Sequence, residues 1–127
     1  MRTFLIVIAS LATAAPVAAH LSCAAQYDAA KPVTLTGKVT KVEWTNPHAR
    51  FYMDVKGDDG KTVNWNLELA SPNVLKRAGW SSTSLKQGDE VTIEGSLARS
   101  GANMANARTV VLADGKRVFA RGTSDAG

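Results

Sequence analysis

One cysteine in 127 residues leaves no intramolecular disulfide, so stability must come from packing alone. The two histidines, His20 and His48, are far apart in the chain, which excludes a paired-histidine metal motif on a helix. No glycine-rich phosphate cradle and no second cysteine accompany them. Asp58 and Asp59 lie in a run of turn formers. Asp54 and Glu68 alternate outward on neighbouring strands with bases nearby, as ordinary strand charges do. These absences argue against catalysis, and the expectation is a protein that is not an enzyme.

One long apolar run is present, at residues 4–15. It follows the positive start Met1-Arg2-Thr3 and precedes the small residues Pro16-Val17-Ala18-Ala19. This pattern predicts a secretory signal peptide over residues 1–19, too short for a membrane span, with cleavage after Ala19. An uncleaved anchor and lipidation at Cys23 are the alternatives. The mature protein would be periplasmic or secreted, begin at His20 and have no membrane span. The formal charge is +4, and Arg2 would leave with the leader. The remaining bases are scattered rather than clustered, so nucleic-acid binding is discounted despite the basic isoelectric point.

The remainder is long enough for one domain with a modest core. Residues 20–32 have no hydrophobic period and read as a leader. Across 33–55 apolar and polar residues alternate, break at Thr45-Asn46-Pro47-His48, and alternate again, predicting two antiparallel strands. Val33, Leu35, Gly37 and Val39 share a face, but beyond Lys41 the apolar positions become Val42 and Trp44. That slip of one residue predicts a β-bulge, and Gly37 would ease the bend. After the turn at 57–60, residues 62–69 form a third strand with Val63, Trp65, Leu67 and Leu69 inward and Asn64, Asn66 and Glu68 outward.

A short helix follows. Ser71 is its predicted cap, Pro72 its first residue, Lys76 and Arg77 its last turn and Gly79 its stop, with Trp80 folding back onto Leu75. Residues 90–95 form a strand, 99–107 a loop and 108–112 a strand. A hairpin turn at 113–116 leads to 117–120, and 122–127 reads as a tail. The order predicts a mainly β fold over 33–121. It is a small five- to six-stranded Greek-key barrel of the oligonucleotide/oligosaccharide-binding (OB) type, with one short helix between strands three and four. An open five-stranded sandwich is the alternative.

Lys41-Val42-Glu43-Trp44-Thr45-Asn46-Pro47-His48, Ser71-Pro72-Asn73 through Gly79-Trp80, Leu85-Lys86-Gln87-Gly88-Asp89 and Asn106-Ala107-Arg108 resemble a family of small exported bacterial proteins of unknown function. Members usually start the mature chain with His-His-Ser-Phe, whereas this one has His20-Leu21-Ser22-Cys23. The resemblance implies export and a single β-rich domain, and brings no activity.

In such a barrel, ligands meet the outer face of strands two and three and the connections between strands one and two and between four and five. Those places hold Asn46, His48, Arg50, Tyr52, Asn64, Arg99, Asn103 and Asn106, with Asn66 nearby. This amide-rich surface suits a neutral or anionic ligand, a periplasmic small molecule or protein. The ordinary reading of the same residues is turn formation and solvation. The expected state is a monomer or weak dimer with no required cofactor. The alternative function is copper binding. His20 at a mature N-terminus presents an amine and an imidazole to Cu(II), and His48 would add a third nitrogen.

Overall fold

The computed structural model describes residues 26–120. The expected signal peptide, residues 20–25 of the expected leader with the metal candidate His20 and Cys23, and the tail from 122 therefore lie outside the described residues. Six strands, β1 (Tyr27–Glu43), β2 (Arg50–Lys56), β3 (Thr62–Glu68), β4 (Glu90–Ala98), β5 (Met104–Val111) and β6 (Arg117–Phe119), follow one another, with helix α1 (Pro72–Arg77) between β3 and β4. The sheet order is β3-β2-β1-β4-β5-β6, and β3 also pairs with β5, which closes the ring. The closing pair is parallel, with Asn66, Leu67 and Glu68 beside Met104, Ala105 and Asn106. All other pairings are antiparallel. This is the expected OB-like barrel rather than an open sandwich.

The slip in β1 is a bulge. Val39 faces Met53 and Lys41 faces Tyr52, leaving Thr40 as the extra residue. Val39 and Val42 thereby both turn towards the core, and β1 bends enough to pair with β4 along one part and β2 along another. Gly37 lies at this bend, where a Cβ would overlap the Asp54 carbonyl oxygen. Gly95 plays the same part on β4, against the Asn106 carbonyl, next to a second irregularity that leaves Arg108 unpaired in register.

Phe51, Met53, Leu67, Leu75, Ile93, Val39, Val91 and Val110 fill the interior. Helix α1 adds Leu75 to this core, with Val74 packed against it. The Ser71 hydroxyl accepts from the Val74 amide at 3.3 Å, Pro72 opens the helix, and Gly79 takes a φ of 94°. That turn lets the Trp80 amide donate to the Leu75 carbonyl at 2.9 Å, with both side chains buried.

Three sequence expectations need correction. The leader does not extend to residue 32, because β1 begins at Tyr27, which pairs with Ala98 of β4. The polar run 99–107 is not all loop, because β5 starts at Met104 and contains Asn106. Glu68 does not face water, being only 4% exposed. In each case a pairing partner distant in sequence determines the outcome.

Candidate functional site

The outer face of β1, β2 and β3 carries polar residues in rows set by register. Glu43, Arg50 and Glu68 form one row, Lys41, Tyr52 and Asn66 the next, and Asp54 and Asn64 a third. Alternation puts them outward because their neighbours Val42, Phe51, Met53, Trp65 and Leu67 point into the barrel.

Glu68 organises the first row. Its Oε2 accepts from the Tyr27 hydroxyl at 2.6 Å and from Arg50 Nη2 at 3.0 Å, and its Oε1 lies 2.9 Å from His48 Nδ1. A carboxylate this buried is tolerable only when its charge is compensated, and here Tyr27 and Arg50 donate to Oε2 while His48 lies against Oε1. Tyr27 is itself buried at the start of β1, and its phenol is pushed well above its ordinary range, first by burial and then by the Glu68 carboxylate. Arg50 also reaches Asn66 Oδ1 with Nη1 at 3.3 Å, so one guanidinium spans two rows. Nδ1 is the ring nitrogen of His48 that meets Glu68. The His48 side chain is 34% exposed.

The chain belongs to DUF6152, a family of unknown function. Residues 7–107 match that family's profile, which takes in Tyr27, His48, Arg50 and Glu68. No curated protein matches the chain. Among solved structures, the mitochondrial single-stranded DNA binding protein Rim1 of S. cerevisiae is similar at 12% identity, with a TM-score of 0.51 over 65% of this chain and 93% of that one. At that identity the likeness concerns the fold alone.

In this DUF6152 chain the remaining sequence candidates divide. Tyr52 is partly exposed, with the Lys41 ammonium 5.7 Å from its ring centroid. Lys41 is also paired with Glu43 at 2.8 Å, which raises its pKa. Asn64 is engaged by Asp54 Oδ1 at 2.9 Å and Thr40 Oγ1 at 3.2 Å. Asn46 is exposed, beside a cis bond to Pro47. Asn103 has an exposed side chain, and its carbonyl accepts from the Asn66 amide at 3.0 Å, which fastens the β4–β5 connection to the outer face.

Two candidates do not join this face as free ligands. Asn106 is buried and its Oδ1 accepts from the Ser96 amide at 3.2 Å, so it braces β4 against β5. Arg99 pairs with Asp28 at 3.7 Å, and its amide donates to the Gln26 carbonyl at 2.9 Å, tying the start of β1 to the β4–β5 connection. The residues that sequence reasoning missed are Tyr27 and Glu68. A lone aromatic in an aperiodic stretch was the one available signal for the former. For Glu68 there was the cationic Arg50 and the His48 ring two residues before it.

Among the described residues, no helix is long and apolar enough to cross a membrane. No trio of His, Cys, Asp or Glu among them is placed to hold a metal ion.

Proposed function

We propose that this chain is an exported, non-enzymatic binding module that holds a polar ligand on the outer face around Glu68. One observation carries the reading. A single buried carboxylate gathers His48 from the β1–β2 connection, Arg50 from β2 and Tyr27 from the start of β1, which is itself tied to the β4–β5 connection. Side chains fixed in this way form a preorganised rim, and His48 Nε2, Tyr52 and the Asn103 amide are what it offers. The two cations of the first two rows, Lys41 and Arg50, are already paired with Glu43 and Glu68. That weakens any case for a phosphate backbone as ligand, although the yeast neighbour binds DNA.

Titrating the labelled chain with acetate, phosphate and short oligosaccharides by NMR tests the reading. The expected shifts centre on His48, Tyr52, Asn66 and Asn103, and His48→Ala removes them, with a fall in Tm because buried Glu68 loses its neighbour on Oε1. Shifts centred on Glu94 of β4 and Arg117 of β6 would overturn it.

A second reading is favoured by the Nδ1 contact of His48 with Glu68. It leaves Nε2 as a metal donor, and supports copper binding together with the amine and imidazole of His20. A Cu(II) spectrum that is unchanged when one residue is added ahead of His20 would rule out that chelate.

A further inference from the structure

Resting on the binding reading above, and independent of the copper one, we infer that the ligand of the outer face is a neutral saccharide. One sugar ring lies against the Tyr52 side chain, and its hydroxyls bond to Asn66, Asn64 and Asp54.

Charge decides against an ion. Lys38, Lys41 and Arg50 share the three rows of this face with Glu43, Asp54 and Glu68, so its strand residues sum to zero. Lys41 is tied to Glu43 at 2.8 Å and Arg50 to Glu68 at 3.0 Å. A phosphate or carboxylate arriving here would compete with those pairs and meet Asp54 as well, and an amine would meet Lys38 and Lys41. Neither sign of ligand gains from the surface as a whole.

The atoms left open are a mixture of donors and acceptors. Asn66 gives Oδ1 to Arg50 at 3.3 Å, so its Nδ2 is the atom left to donate. Asn64 Nδ2 is engaged by Asp54 Oδ1 at 2.9 Å and Thr40 Oγ1 at 3.2 Å, which leaves Asn64 Oδ1 and Asp54 Oδ2 to accept. Among the described residues nothing bonds these three atoms or the Tyr52 hydroxyl. Phosphate and carboxylate groups only accept and ammonium only donates, whereas a sugar hydroxyl does both and satisfies such a surface.

Register brings the parts within reach of one short ligand. Tyr52 stands between Lys41 and Asn66 in its row, and Asp54 and Asn64 form the next. Neighbouring strands are about 4.8 Å apart and neighbouring rows about 7 Å, the scale of one or two sugar rings. The Tyr52 ring is partly exposed, and an aromatic ring of this kind packs against the apolar C–H face of a pyranose. The two amides are held by their own bonds before any ligand arrives, which lowers the ordering cost of binding.

The experiment titrates the labelled protein by NMR with maltotriose and chitotriose, and with a galacturonate trimer and a short oligothymidylate as anionic counterparts. At least one neutral sugar should shift Tyr52 and the side-chain amides of Asn64 and Asn66, with an affinity indifferent to salt between about 50 and 500 mM. Tyr52→Phe should keep those shifts and Tyr52→Ala should remove them. Asn66→Asp, which retains the acceptor for Arg50, should weaken binding about 2- to 10-fold. If acetate or phosphate shifts this face and neither neutral sugar does, the saccharide is overturned while the binding reading stands. Tighter binding of either anionic oligomer, or sugar binding equally tight in Tyr52→Ala, has the same effect. If none of these probes shifts the face, both readings fall. Should Tyr52→Ala fail to fold, Asn66→Asp and the salt series decide: undiminished affinity in the first, or affinity that falls with salt in the second, overturns the inference.

Discussion

The Tyr27 hydroxyl lies 2.6 Å from Glu68 Oε2, joining residues forty-one positions apart and tying the start of the first strand to the end of the third. A hydrogen bond to a buried charged group is worth about 1.5–3 kcal/mol, so Tyr27→Phe should lower unfolding stability by about that much in urea. The bond also has a pH signature. A phenol whose folded pKa is raised contributes stability in full below its ordinary value of 10.0, and that contribution is lost as pH rises beyond it. Phenolate absorbance from Tyr27 should therefore appear only with unfolding at alkaline pH. A Tyr27→Phe chain should lack this late component, and early reversible ionisation of Tyr27 in the folded protein would contradict the geometry.

Arg50 reaches Glu68 and Asn66 with separate nitrogens, a geometry that a single ammonium cannot copy. Arg50→Lys should cost about 1 kcal/mol and Arg50→Ala about 2–3 kcal/mol, since the second leaves a buried carboxylate short of a donor. Chemical denaturation of the three proteins checks the order. Equal stability of wild type and Arg50→Ala would mean that the carboxylate does not depend on this partner.

Gly95 has no room for even a methyl group, because the Asn106 carbonyl occupies that position. Gly95→Ala must push β4 away from β5, and a loss of at least about 3 kcal/mol is expected. Gly115, in the β5–β6 turn at a φ of 83°, meets open space, so Gly115→Ala should cost only about 1 kcal/mol through backbone strain. Thermal melts of the pair separate close packing from turn geometry.

Glu94 is held below its usual carboxylate range, first by the Thr109 hydroxyl at 2.9 Å and then by Arg117 at the same distance. With the folded pKa depressed, its contribution is present above its ordinary value of 4.5 and disappears as pH falls through the folded value. The stability difference between wild type and Glu94→Gln should therefore shrink on acidification, as read from urea midpoints between about pH 7 and pH 3. A difference that grows in acid would reverse the assignment.

Local chemistry was legible in the sequence wherever a few adjacent residues decide it. The phase slip between Val39 and Val42 marked the Thr40 bulge, and Ser71, Pro72 and Gly79 marked the helix with its Trp80 lid. The ring closure could be anticipated from that bend. What the sequence did not disclose depends on partners far along the chain. Alternation placed Glu68 on the outer face correctly, but only the Tyr27–Ala98 pairing brings a phenol over it. The extra residue Arg108 disrupts the period of β5, so Met104–Ala107 read as loop and the buried Asn106 as a rim ligand. The candidate site was thus half visible. His48, Arg50 and Tyr52 could be named in advance, whereas the acid that assembles them could not.

The parallel seam between β3 and β5 has a consequence for the order of events during synthesis. Until Asn106 has emerged there is nothing to close the ring, and the first strand waits on the fourth for most of its backbone partners. Assembly dominated by such distant pairings is slow. A growing chain of this topology stays open and threadable until nearly all of it has been made.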